Sequence, residues 1–387
     1  MNTEQLYASR ADNFKRAANR NNPDYVPVLA YPTGGVIEFS GKKISEVYDD
    51  HDAYVEAMAK VWDYLYADVA TTQGLWFFPH ANDVMGGTQN RLAPDGISLE
   101  HVQYSPMRGD EYELLIKNPS AFVKDVILPR RYPWMYTDDM DQVAKRLQVI
   151  VDDLRYFGWG KVNSRIEQIA KERYGIVTAF SRDLMIATNP LDNLFDYFRG
   201  FRGTLVDLRK HGSQVEEALE VLWEETCEHY DNVTFDFPYA RQWPHIPAFL
   251  NVKQFEKYYW PYEKKIIENV AKNGNKMYIL LEGKWKHLLH FFRDVPKDSC
   301  ILNVDDDDVI EVSKAIGDHQ VILGGYSAVN AKLKTKEENL RRTQEVLDAC
   351  APTGAFIFGN DKAFACPGDI NENTIAVYEY AHLHGRY

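Results

Sequence analysis

Glu282 closes a strongly apolar run, Met277-Tyr278-Ile279-Leu280-Leu281, and is followed at once by Gly283. A carboxylate in that setting is partly desolvated, which raises its pKa toward the range useful for a general acid. The structural alternative is a cap for the following helix. Asp236 lies between Phe235 and Phe237 after Val233 and Thr234, and its alternative is a buried aspartate bonded to backbone amides. Asp305 follows Leu302-Asn303-Val304 and opens an acidic run through Asp308. Such a run reads as a solvated turn and helix N-cap whose first member is free to point inward. His245, between Pro244 and Ile246, and His80, after Phe77-Phe78-Pro79, are candidate proton carriers or metal ligands, each equally readable as a satisfied structural imidazole. His287 and His290 fall three apart on an expected helix, a spacing that suits one metal ion, but the sequence positions no third ligand. Were a metal bound, Asp236, His245, Glu282 and Asp305 would be the first ligands to test.

These residues need a scaffold that gathers strand ends. Short apolar, β-rich runs alternate with longer amphipathic stretches, the pattern of a parallel sheet covered by helices. The runs are Val26–Tyr31, Leu75–Pro79, Val102–Ser105 (the weakest), Ile176–Phe180, Val233–Phe237, Met277–Leu281, Cys300–Val304, Val321–Leu323 and Ala355–Phe358. Nine candidates for eight positions predict one (β/α)8 TIM barrel spanning residues 1–387, with a helical extension over residues 1–25 and elaborated loops. Val215–Cys227 and Phe255–Ala271 carry apolar stripes suited to crossover helices, and the proline-rich Pro119–Tyr136 reads as an elaborated loop. Polar residues just past barrel strands face the site. That rule selects Tyr31, His80 with Asn82 and Asp83, Arg182, Asp236 with Tyr239, Glu282, Asp305, Tyr326, and Asn360 with Asp361 and Lys362.

The formal net charge of -13, from 57 acidic against 44 basic residues, disfavours nucleic acid and anionic membranes as partners. Four scattered cysteines without a CxxC pair indicate neither a disulfide framework nor a thiolate zinc knuckle. The polar start from Met1 to Arg20 lacks a signal-peptide run and no stretch approaches membrane-span length, so a soluble, cytoplasmic protein is expected. Twenty-four tyrosines and eight tryptophans suit either an aromatic-rich core or a pocket for a flat apolar ligand.

Four groups of residues, in order and spacing, resemble the uroporphyrinogen decarboxylase superfamily, whose fold is a (β/α)8 barrel. They are Pro190, Asp192, Asp196, Arg199 and Gly200 followed by Asp207; Phe255, Tyr259, Trp260 and Pro261 ahead of a Lys-rich helix; Gly317-Asp318 before Val321–Gly325; and Glu372-Asn373 with Ala376, closing on Gly385-Arg386-Tyr387. The resemblance implies either porphyrinogen decarboxylation or methyl transfer involving a corrinoid carried on a separate protein. Decarboxylases of the superfamily have an Arg-rich segment near the N-terminus; the corresponding Val28–Gly35 has no arginine, leaving a polyanionic tetrapyrrole without counter-charges. Coenzyme M methyltransferases hold zinc with a His-x-Cys pair and a late cysteine. Here Leu280 and Glu282 stand at the pair, and the last strand ends in Asn360-Asp361-Lys362 with only Cys366 nearby, so zinc remains an option that no thiolate motif indicates.

The remaining branch is similar to the anaerobic methyltransferases that pass a methyl group from a donor to cobalamin on a corrinoid protein. The resemblance thus implies an O-demethylating methyltransferase acting on a methoxylated aromatic or similar small donor. Glu282, Asp236 and Asp305 are its expected catalytic residues. Tyr31, Trp76, His80, Asn82, Tyr239, His245, Tyr326 and Asp361 are the expected substrate contacts. The expected partners are the methyl donor and the corrinoid carrier protein, with a homodimer left open. The rivals are a decarboxylase of a smaller carboxylic acid and a non-catalytic barrel that binds a corrinoid or an aromatic ligand.

Overall fold

Successive residues of a strand face opposite ways, and the last strands of this chain show the alternation plainly. Met277, Ile279 and Leu281 pack outward with Cys300, Leu302 and Val304 in one large apolar cluster shared with the helices. Tyr278 and Leu280 point the other way and join Leu29, Val69, Val177, Tyr239, Ile301, Val321, Leu323 and Ile357 in a second, inner cluster. The computed structural model describes residues 2–71, 79–86, 90–102, 104–158, 161–179, 188–227 and 239–387.

The strands are β1 (Val28–Ala30), β2 (Val69–Ala70), β3 (Asn90–Leu92), β4 (Leu99–His101), β5 (Val177–Thr178), β6 (Tyr239–Gln242), β7 (Lys276–Leu281), β8 (Cys300–Val304), β9 (Val321–Tyr326) and β10 (Phe356–Asn360). Eight of them form one sheet in the order β5-β2-β1-β10-β9-β8-β7-β6, and its pairings are parallel. Since the first and last strands pair, the sheet curls upon itself as a (β/α)8 barrel. The junction between β5 and β6 adjoins residues outside the described set.

Helix Thr3–Ala18 closes the N-terminal end of the barrel: Phe14, Ala17 and Ala18 belong to the inner cluster, and the Phe14 ring meets Tyr239 edge-on at 5.9 Å. Arg10 anchors that helix, its Nε lying 3.1 Å from the buried Asp68. With that end filled, the open mouth of the inner layer is at the C-terminal ends of the strands, where barrel chemistry is carried.

The elements differ from expectation at several points. The second barrel strand is Val69–Ala70; of Leu75–Pro79, residues 75–78 lie outside the described residues, and Pro79 begins a helix, where its missing N–H costs nothing. The Val102 run is no barrel strand: β4 precedes it and pairs antiparallel with β3 in a separate hairpin. Val233–Phe237 lies outside the described residues, and the fourth barrel strand in chain order is β6, Tyr239–Gln242. Pro119–Tyr136 is not a loop but a string of helical turns. Its prolines sit at the starts of turns, and a π turn over Val123–Ile127 precedes Pro129. The same device recurs at Phe255–Tyr259 ahead of Pro261, where widening the turn relieves the missing N–H and the ring clash. Among the described residues no helix is long and apolar enough to cross a membrane.

Candidate functional site

β7 carries Tyr278 and Leu280 inward, so the next residue of that parity, Glu282, emerges at the mouth. The same count along β8, from Ile301 through Asn303, brings Asp305 to the mouth. Gly283 makes this turn: its φ of +78° is a left-handed conformation that disfavours a side chain, and a Cβ there would meet that of Ala248 at 2.8 Å. The amide of Gly283 donates to Asp305 Oδ2 at 2.8 Å, tying the two strand ends together.

His245 follows β6 and faces Glu282, with Nε2 3.6 Å from Oε2. Its Nδ1 donates to Asp196, at 2.9 Å from Oδ2 and 3.0 Å from Oδ1. Burial pulls the imidazole pKa down, but the Asp196 hydrogen bond and the surrounding carboxylates lift it to about 9, so the ring holds both protons at neutral pH. Glu282 is half exposed. It nevertheless sits among enough protein that burial raises its pKa, with Asp305 adding to the rise and His245 and Lys362 opposing it.

Lys362, just past β10, reaches across the mouth: its Nζ is 2.9 Å from Asp305 Oδ1 and 3.0 Å from Asp306 Oδ1. Burial raises the Asp305 pKa against the pull of Gly283 N–H and Lys362. Burial likewise lifts Asp361 to about 6. The acidic run is thus divided by geometry. Asp305 and Asp306 hold Lys362, Asp307 accepts from the amides of Trp285 and Lys286, and Asp308 caps helix Val309–Ile316.

Beneath these charges the barrel interior is polar and aromatic. The Tyr278 hydroxyl donates to Asn303 Oδ1 at 2.7 Å, and Asn303 Nδ2 donates to the Asn360 carbonyl. Asn360 Oδ1 in turn accepts from the Tyr31 amide at 3.0 Å. Tyr31 shares the inward parity of Leu29, and burial raises its hydroxyl pKa while Arg241 lowers it. Arg241, inward like Tyr239 on β6, lies with its guanidinium 4.8 Å from the Trp243 ring centre.

The structure therefore brings together Glu282, Asp305, His245, Asp361 and Tyr31. Four other expected contacts are placed elsewhere. Tyr239 begins its strand rather than ending it, so it packs against Phe14 at the closed end. β9 runs three residues beyond Leu323, and the alternation turns Tyr326 outward, where its hydroxyl meets Thr374 Oγ1 at 2.7 Å. His80 pairs with Asp49 at 2.6 Å and stands edge-on to Tyr48. Asn82 donates to the Asn90 carbonyl and so secures the hairpin. Asp236, Trp76 and Arg182 lie outside the described residues. His287 Nε2 donates to the Leu250 carbonyl at 2.9 Å, while His290 lies tilted against Phe291, so the two imidazoles do not pair.

A zinc ion needs three or four donors around one point. Both nitrogens of His245 are directed at carboxylates, Cys300 and Cys350 are buried apart while Cys366 is exposed, and no group of three His, Cys, Asp or Glu among the described residues could hold an ion. The described residues do not fit a zinc site, and His245, Glu282 and Asp305 are not assigned as ligands.

Sequence reasoning missed Asp196 and Arg241 as site residues. Asp192 and Asp196 are spaced i, i+4 and so share one helix face, and Arg241 lies two residues after Tyr239 on one strand face; both signals were in the spacing.

Residues 197–363, which include His245, Glu282, Asp305 and Lys362, match the family model described as uroporphyrinogen decarboxylase (URO-D). A solved structure of a methyltransferase from Methanosarcina mazei is similar over 99% of this chain and 99% of that chain, with a TM-score of 0.58 and 12% sequence identity. At that identity the likeness is one of fold. No curated protein matches the chain by sequence.

Proposed function

From its barrel and the match of residues 197–363 to the uroporphyrinogen decarboxylase family model, we propose that this chain is an enzyme that moves a methyl group from a methoxylated aromatic to a corrinoid protein. One observation carries this reading: a proton-bearing His245, buttressed by Asp196, faces Glu282 at the barrel mouth. In the reaction the methyl carbon–oxygen bond breaks, its electron pair leaves on the phenolic oxygen, and the methyl carbon bonds to Co(I) of the incoming corrinoid. The oxygen leaves more readily if a proton reaches it as the bond breaks. His245 carries that proton and Glu282 faces it at 3.6 Å, so the acid is the imidazolium beside the carboxylate rather than Glu282 alone. Lys362 offsets part of the charge of Asp305 and Asp306, which limits the negative charge near a departing phenolate. Tyr31, Tyr278 and Trp243 supply aromatic surface for a flat ring, and the interior they line restricts water.

Cobalamin is here a substrate presented by its carrier protein, and the mouth is the face from which a cobalt atom can approach the ring. The test is an anaerobic absorbance assay with Co(I) cobalamin, free and carrier-bound, against methoxylated phenols and methylamines. Formation of methylcobalamin with the aromatic ethers supports the reading; silence with an active carrier control removes it.

Decarboxylation of a small acid is the second reading, favoured by Arg241 at the inner end of the mouth. A guanidinium there suits a carboxylate, and the His245 proton would then go to the carbon that loses CO2. Release of CO2 without cobalt dependence distinguishes this outcome.

A further inference from the structure

We propose that Asp192 is a positioning residue for His245: backed by Tyr259 and Glu263, it fixes the loop that carries the imidazole and, with Asp196, sets how firmly that ring holds its proton. The effect on turnover rests on the methyl-transfer reading, whereas the effect on His245 itself does not.

The geometry is a buried string leading away from the mouth. Asp192 is 2% exposed, and its Oδ1 accepts from two successive amides, His245 N and Ile246 N, both at 3.0 Å. Oδ2 accepts from the Tyr259 hydroxyl at 2.6 Å. A single carboxylate thus clamps the loop after β6 to the helix turn that also carries Asp196. Because Asp196 holds the ring of His245 and Asp192 holds its backbone, the side chain is fixed at both ends, as a group that must face Glu282 requires.

The next layer is Glu263, 1% exposed. Its Oε2 accepts from Asn189 Nδ2 at 3.2 Å and Gln242 Nε2 at 3.1 Å, while Oε1 is buried without a hydrogen-bond partner among the described residues. Asn189 Nδ2 donates also to the Tyr259 carbonyl, so the string is braced to the π turn ahead of Pro261. A carboxyl with two donors on one oxygen and none on the other is suited to carry a proton on the bare oxygen. Burial indeed lifts Glu263 to about 7 and Asp192 to about 6.

The charges around these groups come from each element packed on them. Asp192 and Asp196 on one helix and Glu282 beyond β7 act on His245. Asp196, His245 and Tyr259 act on Asp192, and Asp192 and Tyr259 act on Glu263. An ionised Asp192 favours the charged imidazole by Coulomb attraction. Removing its charge, or the Tyr259 hydroxyl that stabilises that charge, weakens the hold on the His245 proton.

The experiment is an NMR titration of the His245 ring in the full chain, comparing wild type with Asp192→Asn and Tyr259→Phe, alongside kcat and KM. Asp192→Asn retains an oxygen to accept the two amides, removes the charge, and sets an Nδ2 donor where Oδ2 accepted from the Tyr259 hydroxyl. The expected result is a His245 midpoint lowered by about one pH unit in Asp192→Asn and by less in Tyr259→Phe. The kcat falls several-fold with KM within about two-fold, as expected of a group that acts through another. An unmoved midpoint in both variants overturns the proposal. Tyr259→Phe, which keeps the buried ring, decides alone if Asp192→Asn does not fold. A shifted midpoint in a protein that makes no methylcobalamin sustains this inference and removes the proposed reaction; an unmoved midpoint in an active enzyme does the reverse.

Discussion

His245 carries its proton beside Glu282 because neither environment is simple: burial disfavours charge on both, and the nearby carboxylates favour it on the imidazole. With His245 lifted from 6.5 to about 9, the protonated form that donates is full at neutral pH and empties as pH rises through about 9. Turnover in the proposed reaction is expected to fall along that alkaline limb, and a pH-rate profile checks it. Lys362 lowers the pKa of both Glu282 and Asp305. Lys362→Met should therefore move the acid limb governed by these carboxylates to higher pH, which the same profile measures. Glu282 and Asp305 were legible in the sequence because each ends a long alternating strand. Asp196 was visible only as the i, i+4 partner of Asp192; its role was not, since it depends on a loop that approaches from another strand.

At the scale of elements, Gly283 and the N-terminal helix make opposite contributions. Gly283 permits the turn that aims Glu282 and lends its amide to Asp305. Gly283→Ala is expected to cost about 1–2 kcal/mol from the left-handed backbone alone, more if Ala248 cannot yield, as urea denaturation would register. Phe14 closes the other end of the barrel at 0% exposure. Phe14→Ala should destabilise the fold by about 3–5 kcal/mol, with no direct effect on groups at the mouth. The strand pattern was readable where strands are long, as in β7 and β8. It failed at β2, two residues long, and at β9, where Gly324-Gly325 disguised the strand's continuation and reversed the facing of Tyr326. The expected loop at Pro119–Tyr136 proved helical because proline is acceptable in a first turn and a π turn absorbs it elsewhere.

Across the whole molecule, the buried acid string sets a dependence of stability on pH. Glu263 is raised from 4.5 to about 7, so the folded state binds its proton more tightly than the unfolded chain. The resulting stabilisation is complete below pH 4.5 and is lost as pH rises through 7, at about 1.4 kcal/mol per pH unit. Ionised Glu263 therefore costs on the order of 3 kcal/mol. Glu263→Gln, which removes that ionisation, should gain stability relative to wild type at pH 8 and not at pH 4, by urea denaturation at the two values. Composition predicted nothing of this, because burial of Glu263 arises from a helix docking on Asn189 and Gln242 from separate elements. What composition and periodicity did convey was a parallel sheet with helices, and the barrel realises it with its strand ends gathered at one mouth.

In the proposed reaction this mouth transfers a methyl group using the proton on His245. Its most direct test is the anaerobic conversion of Co(I) to methylcobalamin by wild type and His245→Gln with methoxylated aromatics. Wild type is expected to form methylcobalamin, with the rate lower by about 10²-fold or more in the variant. Absence of methylcobalamin with an active carrier protein, or an undiminished rate in His245→Gln, would contradict it.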